Sequence, residues 1–488
     1  MDNPATMDSV SMARSRGGLL GFGLGCGFGL FLLVLTVSHG LNWVLYVFVA
    51  LSAAMVFPRV AQLFGGLDRV ALSLLVLGLI LEVDWWVSYQ PFAYGGGVNG
   101  LGLNMIALAA AFWVAVWYPA RRAGIAPAWE LDPQLRRAAL AFLLISAASR
   151  LDAVSGKQWL FGMFLNAAGV FVALVTCQIV STGKPDDLRA IWRVLLLALL
   201  IEAVLVLIQN ALGFSFSLKG EVFNRFGAEG RYSGTYSTPS ATGTFLAAGL
   251  FFAIMELLLR EAALPPWLTG SAFGTGLLAL LLTKTRSAWI GFLAGSTALG
   301  LWALRSGIVR RRTLVVLVAV GVLVIGVAWP TLASRLATDH ESDFDVRWNL
   351  ALLGLQMIKS HPLFGLGINC AGLVIKDYVP AGWPGHWVFV PHNQFLLMGS
   401  EAGLPGMLAL IWLFVVGLRA AREAAASADP FIRHNGLLLR IVLWSLVWAL
   451  NLDFVQGAQT YYLVFFMIGM AVGLRRLAAR NAEEVTAG

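Results

Sequence analysis

His392 is the side chain in this sequence best suited to take a proton at ambient pH, because an imidazole ordinarily titrates near about 6.5. Pro391 and Asn393 flank it where a long polar stretch, residues 331–393, gives way to an apolar run. The same position suits a helix cap or anchor, and the sequence leaves both roles open. Three arginines offer a second chemistry. Arg231 follows Gly230 shortly before an apolar run that starts near Ser240, Arg286 closes a tight turn with Thr283, Lys284 and Thr285, and Arg347 lies in the polar stretch. A planar, permanently charged guanidinium grips phosphate oxygens in bidentate fashion and is costly to bury without an anion. Three of them converging would make a pyrophosphate site. Each has a plainer role too: Arg347 can pair with Asp343 four residues earlier, and Arg286 can anchor a lipid headgroup. His340, His361 and His386 show no His-x-x-x-His or Glu-x-x-His spacing, so no metal site is expected.

These groups must be positioned by apolar helices. Hydrophobic residues make up 59% of the 488, charged residues only 12%, and the mean hydropathy is +0.78, which marks a polytopic membrane protein. Apolar runs near 17–37, 41–57, 69–87, 100–119, 137–149, 159–182 and 190–212 form a first series. A second lies near 240–259, 269–284, 287–304, 313–330, 393–418, 436–453 and 460–474. The first run is long enough to span and lacks a small-residue cleavage pattern, so it reads as a helix and not a secretory signal. The net charge of +8 does not require nucleic acid, because topology accounts for it. Threading the runs alternately with both termini inside gathers Arg14/Arg16, Arg59/Arg69, Arg121/Arg122/Arg136/Arg137, Lys184/Arg189/Arg193, Arg260, Arg305/Arg310/Arg311/Arg312, Arg419/Arg422/Arg433 and Arg475/Arg476/Arg480 on the cytoplasmic face. Segments 213–239, 284–286 and 331–393 then open outside, on the periplasmic side in a cell with two membranes. Cys26, Cys177 and Cys370 are far apart and form neither a disulfide framework nor a metal spacing.

Within the polar stretch, residues 343–359 place Phe344, Trp348, Leu352, Leu355 and Ile358 on one helical stripe, which reads as an amphipathic helix on a membrane surface or over a cavity. Pro362 ends it, and Gly365 and Gly367 permit a tight turn, so an ordered lid is expected in place of a loose loop. Trp85, Trp86, Tyr89, Tyr94, Trp383 and Trp387 fall at outer margins, where such rings anchor in headgroups or stack on sugars. Glu202, placed mid-span, needs a partner such as Gln209. The tail after Arg480 is short and polar and is expected to lack fixed structure.

The run of Arg347, then His361, Pro362, Leu363, Phe364, Gly365, Leu366 and Gly367, then Pro391, His392, Asn393, Gln394, Phe395 and Leu396, then Glu401, Ala402, Gly403, Leu404, Pro405 and Gly406 resembles the signature region of the O-antigen ligase and O-antigen polymerase superfamily. Upstream, Gly230 to Gly234 and on to Pro239 looks like that family's arginine-glycine-proline segment. Thr283 to Arg286, with Trp289 and Gly291, looks like its Thr-x-Ser-Arg hairpin. Ser240 stands where asparagine is usual, and Thr285 where serine is usual. The resemblance covers about residues 225–410, with the N-terminal helices matching in hydropathy alone.

The fourteen apolar runs slightly exceed the roughly dozen spans usual in that family, and together they give an all-α integral membrane protein of about 12–14 transmembrane helices, GT-C-like, with one large, partly helical periplasmic loop. The runs divide the chain into N-terminal helices (1–212), helices with arginine-bearing loops (213–330), the large loop (331–393), and C-terminal helices with a short cytoplasmic tail (394–488). The resemblance implies glycosyl transfer at the periplasmic face of the bacterial inner membrane, from a glycan on undecaprenyl diphosphate to an acceptor hydroxyl. The acceptor is lipid A-core for a ligase, a second lipid-linked glycan for a polymerase, or a protein serine or threonine. In this reading Arg231, Arg286 and Arg347 hold the diphosphate, and His392 activates the acceptor for inverting attack without metal or cofactor. Asn393, Asn369 and Tyr378 are weaker candidates for substrate contacts. Glu401 either orients His392 or shapes its helix. A transporter or lipid-glycan flippase is the non-enzyme alternative; it would place charges at the membrane midplane, whereas these crowd the outer rim.

Overall fold

Proline at the first turn and a carboxylate or amide cap open many of the helices, as expected where backbone N–H groups need a partner. Asp132 accepts from Gln134 and Leu135 N–H ahead of Pro133, Asp429 from Phe431 and Ile432 ahead of Pro430, and Asn393 from Phe395 and Leu396. The computed structural model describes residues 67–487 apart from 81–83, 90–99, 123, 125, 214–215, 219–220, 224–229, 260–263, 308–310, 338–341, 382, 384–387 and 454–457. The runs expected at 17–37 and 41–57 lie outside these residues, as do Arg14, Arg16, Arg59, Tyr94, Arg260, Arg310, His340, His386 and Trp387.

In chain order the helices are α1 (Leu67–Ile80), α2 (Met105–Arg122), α3 (Pro133–Ala148), α4 (Gly156–Thr182), α5 (Pro185–Leu212), α6 (Pro239–Leu259), α7 (Pro266–Leu282), α8 (Arg286–Ser306), α9 (Arg311–Ala337), α10 (Ser342–Ser360), α11 (Ala371–Val374), α12 (Gln394–Ala424), α13 (Pro430–Leu452) and α14 (Ala458–Ala487). Among the described residues, α4, α5, α6, α8, α12, α13 and α14 are long and apolar enough to cross a membrane, and α7 is apolar but shorter. This is an all-α integral membrane protein, with two short antiparallel hairpins, β1 (Asp84–Tyr89) with β2 (Gly100–Asn104) and β3 (Phe216–Leu218) with β4 (Glu221–Phe223).

Several boundaries differ from the sequence expectation for local reasons. The run at 69–87 is helical only to Ile80, because the aromatic and β-branched residues of Asp84–Tyr89 pair as a strand with glycine-bearing Gly100–Asn104. Helix α9 continues past 330 to Ala337, and α14 runs through the polar tail to Ala487 in place of the unstructured end its composition suggests.

Close backbone approach holds the bundle together. Gly469 and Gly473, four apart on α14, leave no room for a Cβ against the carbonyls of Ala173 and Cys177 on α4. Basic and acidic residues gather at one end: Arg69 pairs with Asp187 at 2.8 Å, Arg475 with Asp132 and with Glu423 at 3.4 Å, and Arg476 with Glu130 at 2.9 Å. Arg480 donates to the carbonyl of Gly183 beside them. Helix α12 ends here, just past Glu423 at Ala424, and α13 starts here, since Gly436 leaves no room for a Cβ against the backbone of Ala424 and Ala425. Helix α13 therefore runs from this end toward the other.

Residues 342–397 make a small core of their own. Val346, Leu350, Leu353 and Met357 of α10 are at most 8% exposed and pack on Leu366, Ala371, Ile375, Val390 and Leu397. Of the expected stripe, Ile358 is 7% exposed, while Trp348, Leu352 and Leu355, 58%, 40% and 50% exposed, lie away from this core on a second apolar face, the arrangement of a helix laid on a membrane surface. Trp383 packs against this small core.

Candidate functional site

The segment that carries Arg231 is held by buried polar side chains of α5. Gln209 donates to the carbonyl of Gly234 at 2.9 Å and accepts its N–H at 2.8 Å, and Glu202 accepts from the N–H and hydroxyl of Thr235 at 2.9 and 2.8 Å. Both side chains are 0% exposed. Seven residues apart, they share a helix face about 10 Å long, so they grip successive residues of the loop. Glu202, expected to need a partner, thus has Thr235 as one, and Gln209 holds Gly234 beside it. Tyr236 reaches the carbonyl of Leu79 at 2.6 Å, and Thr235 that of Ile80, fastening the loop to the end of α1.

The α7–α8 hairpin meets this loop at two points. Thr285 donates to the carbonyl of Pro239 at 3.0 Å, and a Cβ built on Gly230 would lie 2.9 Å from Lys284 Nζ. Arg231 and Arg286, far apart in sequence, thus sit on adjoining turns, each partly buried. Helices α6 and α8 both begin here, so the positive ends of two helix dipoles add to the guanidinium charge. The cap residue of α8, Thr285, makes no side-chain capping bond to its own helix because its hydroxyl is turned to Pro239.

Arg347 and Asn393 meet at the last turn of α13. Arg347 Nη1 donates to the carbonyl of Leu452 at 3.3 Å, and Asn393 Nδ2 to that of Asn451 at 3.1 Å. A helix C-terminus leaves its final carbonyls in need of donors, and these two side chains supply them. His392 stands between buried Pro391, which packs on Gly354 of α10, and Asn393; its ring centroid is 6.3 Å from that of Phe389.

The two pairs are joined by α8 and α13. A Cβ on Gly291 would lie 2.9 Å from Ser445 Oγ, and one on Gly295 3.1 Å from Ile441, an antiparallel register. Arg286 lies five residues beyond that contact and Leu452 seven, so each is about 8–11 Å further along its axis and both reach the same rim. This rim is the end of the bundle opposite the Arg475 cluster, because α13 starts at that cluster and finishes here.

Asn369 and Tyr378 are placed elsewhere. Asn369, buried with φ +64°, donates to the carbonyl and side-chain oxygen of Gln158 at 3.2 and 3.1 Å and so ties the loop to α4. The hydroxyl of Tyr378 lies 3.1 Å from that of Ser360, thirteen residues and about 20 Å along α10 from Arg347. Glu401 is buried against the backbone N–H groups of Asn369 and Ala371, a shaping contact and not an approach to His392.

That region has an unusual join. Helix α12 kinks where Gly403 takes φ +69°, and Pro405, lacking an N–H, leaves the carbonyl of Glu401 without its helical donor. Gly367 N–H donates to that carbonyl, Leu366 N–H to Ser400, and Leu404 N–H to Pro362, all at 2.9 Å. The His361–Gly367 turn is thereby laced into the kink.

Two parts of the site escape a reading of the sequence: the α5 grip on the Arg231 loop, and the end of α13 with Asn451, the Leu452 carbonyl and the adjoining Asp453, 8% exposed. A polar cluster, Asn451 to Asp453, ending an apolar run is the signal that could have found the second.

Residues 271–411 match the family model described as O-Antigen ligase. The match supports the superfamily that the motifs resemble, and with it glycosyltransferase chemistry in general and lipid-linked glycan and acceptor partners as a class. No curated protein sequence matches the chain. The O-antigen ligase match encloses the Lys284 hairpin, Arg286, α10 with Arg347, the laced turn, His392 and Asn393. It leaves outside it the Arg231 loop, its α5 grip and the end of α13, which the fold brings to the same rim.

Proposed function

We propose that this protein transfers a glycan from an undecaprenyl diphosphate carrier to an acceptor hydroxyl, with ligation to lipid A-core as the leading reaction. The observation that carries this reading is the gathering at one rim of Arg231 and Arg286 on adjoining turns with Arg347 and Asn393 beside His392, mostly within the O-antigen ligase match. The opposite end carries the Arg475 cluster, which the positive-inside rule assigns to the cytoplasm. The rim then faces the periplasm, the protein sits in the inner membrane, and both termini are cytoplasmic.

In this reading Arg231, Arg286 and Arg347 bind the diphosphate, aided by the starts of α6 and α8, and stabilise the charge that grows on it. The acceptor oxygen attacks the anomeric carbon as the bond from that carbon to the diphosphate oxygen breaks. His392 takes the hydroxyl proton, undecaprenyl diphosphate departs, and the anomeric configuration inverts. Asn393 sets the backbone that carries His392 by capping α12 and bonding Asn451.

The test incubates purified protein with an undecaprenyl-diphosphate glycan and, separately, lipid A-core, a second lipid-linked glycan and a serine- or threonine-bearing peptide. Transfer to lipid A-core, lost in His392→Ala and retained under EDTA, is expected. Transfer that survives His392→Ala unchanged removes the base assignment, EDTA loss restored by magnesium removes the metal-free mechanism, and transfer only to another acceptor removes ligation.

A further inference from the structure

We propose that the outer face of α10 is a membrane-contact surface, with Trp348, Leu352 and Leu355 set among the acyl chains of the leaflet at the rim and Lys359 reaching its phosphates. These three large apolar side chains and the lysine share one arc of the helix, and all four are exposed. The opposite arc is spent on the small core of Leu366, Ala371, Ile375 and Val390.

Where α10 lies decides what meets the exposed arc. Its start is tied to the last turn of α13, through Arg347 and the carbonyl of Leu452, and the chain just past its end is tied to α12, through the carbonyl of Pro362 and Leu404 N–H at 2.9 Å. Both ties sit where a crossing segment ends. Helix α13 finishes at Leu452, and the part of α12 beyond its kink, residues 404–424, is about 31 Å long, enough to cross the hydrocarbon by itself. Its outer end is therefore Leu404. A helix of 19 residues, about 28 Å, fastened at both ends to one boundary lies along that boundary and does not rise from it.

The apolar surface is also continuous. Trp444 and Trp448 of α13 are exposed on the turns that lead up to Leu452, and Leu404 and Leu408 of α12 are exposed next to the tie at Pro362. The face of α10 joins these two stripes. A bilayer fits the whole belt, because the stripes belong to helices long enough to cross it, and a lysine seven residues after Leu352 can lay its stem along the same arc with its charge among headgroups. On the covered side Gly354 receives Pro391, since a Cβ there would lie 2.8 Å from Pro391 Cγ, so the contact holds the residue before His392 at the bilayer surface.

Leu352→Cys and Leu355→Cys, each made in a Cys26→Ser background and labelled with a thiol-linked fluorophore, are reconstituted in vesicles of phosphatidylethanolamine and phosphatidylglycerol; Cys177 and Cys370 are buried. Both substituted positions are exposed, so neither change reaches the core. Their emission is expected to shift to the blue and to be quenched by lipids with a nitroxide on the acyl chain, whereas the same label at Asp377→Cys, exposed in the loop, is quenched by iodide in solution. Iodide quenching at 352 and 355 equal to that at 377, with no effect of the lipid nitroxides, overturns the proposal. A second measurement uses the unaltered protein: a phospholipid with a photoactivatable acyl chain is expected to attach to peptides spanning 348–359. Adducts on peptides with Trp444 and Trp448 but none on α10 overturn the proposal, as does a cross-link from α10 to a second copy of the chain in place of lipid.

Discussion

Replacing Gln209 with alanine tests whether the Arg231 loop is placed by α5, and it touches none of the groups proposed to meet substrate. Gln209 makes two buried hydrogen bonds, to the carbonyl of Gly234 at 2.9 Å and from its N–H at 2.8 Å. Removing the amide leaves both backbone groups of Gly234 buried and unsatisfied, at about 1–3 kcal/mol each, or about 2–6 kcal/mol against the held form of the loop. Even about 2 kcal/mol corresponds to roughly 30-fold in the ratio of held to released loop, since about 1.4 kcal/mol is a factor of ten. Two readouts follow. Hydrogen exchange in peptides covering 231–239 is expected to accelerate in Gln209→Ala while that of α4 and α14 stays slow, and kcat/KM for the donor is expected to fall by about ten-fold or more. Wild-type exchange in that loop would refute the reasoning, because the two bonds would then not be what holds it. Faster exchange with unchanged donor kinetics would instead separate the loop from donor binding.

Other expectations concern the rim and the laced turn. Gly365→Ala places a Cβ 2.3 Å from the Glu401 carbonyl carbon at φ +67°, so it should unlace the turn and lower the melting temperature in detergent by several degrees; an unchanged melting curve contradicts the lacing. Asn393→Ala removes the cap of α12 and the bond to Asn451, with about 1–2 kcal/mol lost in thermal stability and transfer reduced, whereas Asn393→Asp should keep the cap but lose the donor to the Asn451 carbonyl and so recover only part of the stability. Burial pushes the Cys370 thiol up to about 11 from an ordinary 9.0, so iodoacetamide at pH 8 should label it only after denaturation; rapid labelling of native protein contradicts this. The sign follows from the raised value: the thiol stabilises the fold fully below pH 9, and that contribution is lost as pH rises from 9 through about 11, where the unfolded thiol ionises first.

The apolar helices were legible in the sequence because a span needs an unbroken apolar run and a cap or proline to start it, both local properties. The caps were not read: Asp132 and Asp429 start their helices at Pro133 and Pro430, several residues ahead of the apolar runs at 137 and 436. The second face of α10 could not be read either: Val346, Leu350, Leu353 and Met357 form as regular a series as Trp348, Leu352 and Leu355, and only the small core of Leu366, Ile375 and Val390 shows which of the two is covered by protein. Asn369 is a similar case, a polar residue in a motif-bearing loop whose amide is used up on Gln158.

Sequence alone determined that this chain is a helical membrane protein and singled out Arg231, Arg286, Arg347 and His392 as candidates, because hydropathy and side-chain type are written residue by residue. Tertiary structure decided which of them share a rim. Arg231 and Arg286 adjoin because Glu202 and Gln209 bind the Thr235 and Gly234 backbone and Thr285 bonds Pro239, while Arg347 and Asn393 adjoin because the end of α13 leaves carbonyls in need of donors. Such pairings depend on buried groups finding partners across the fold, and that demand has no signature in spacing along the chain.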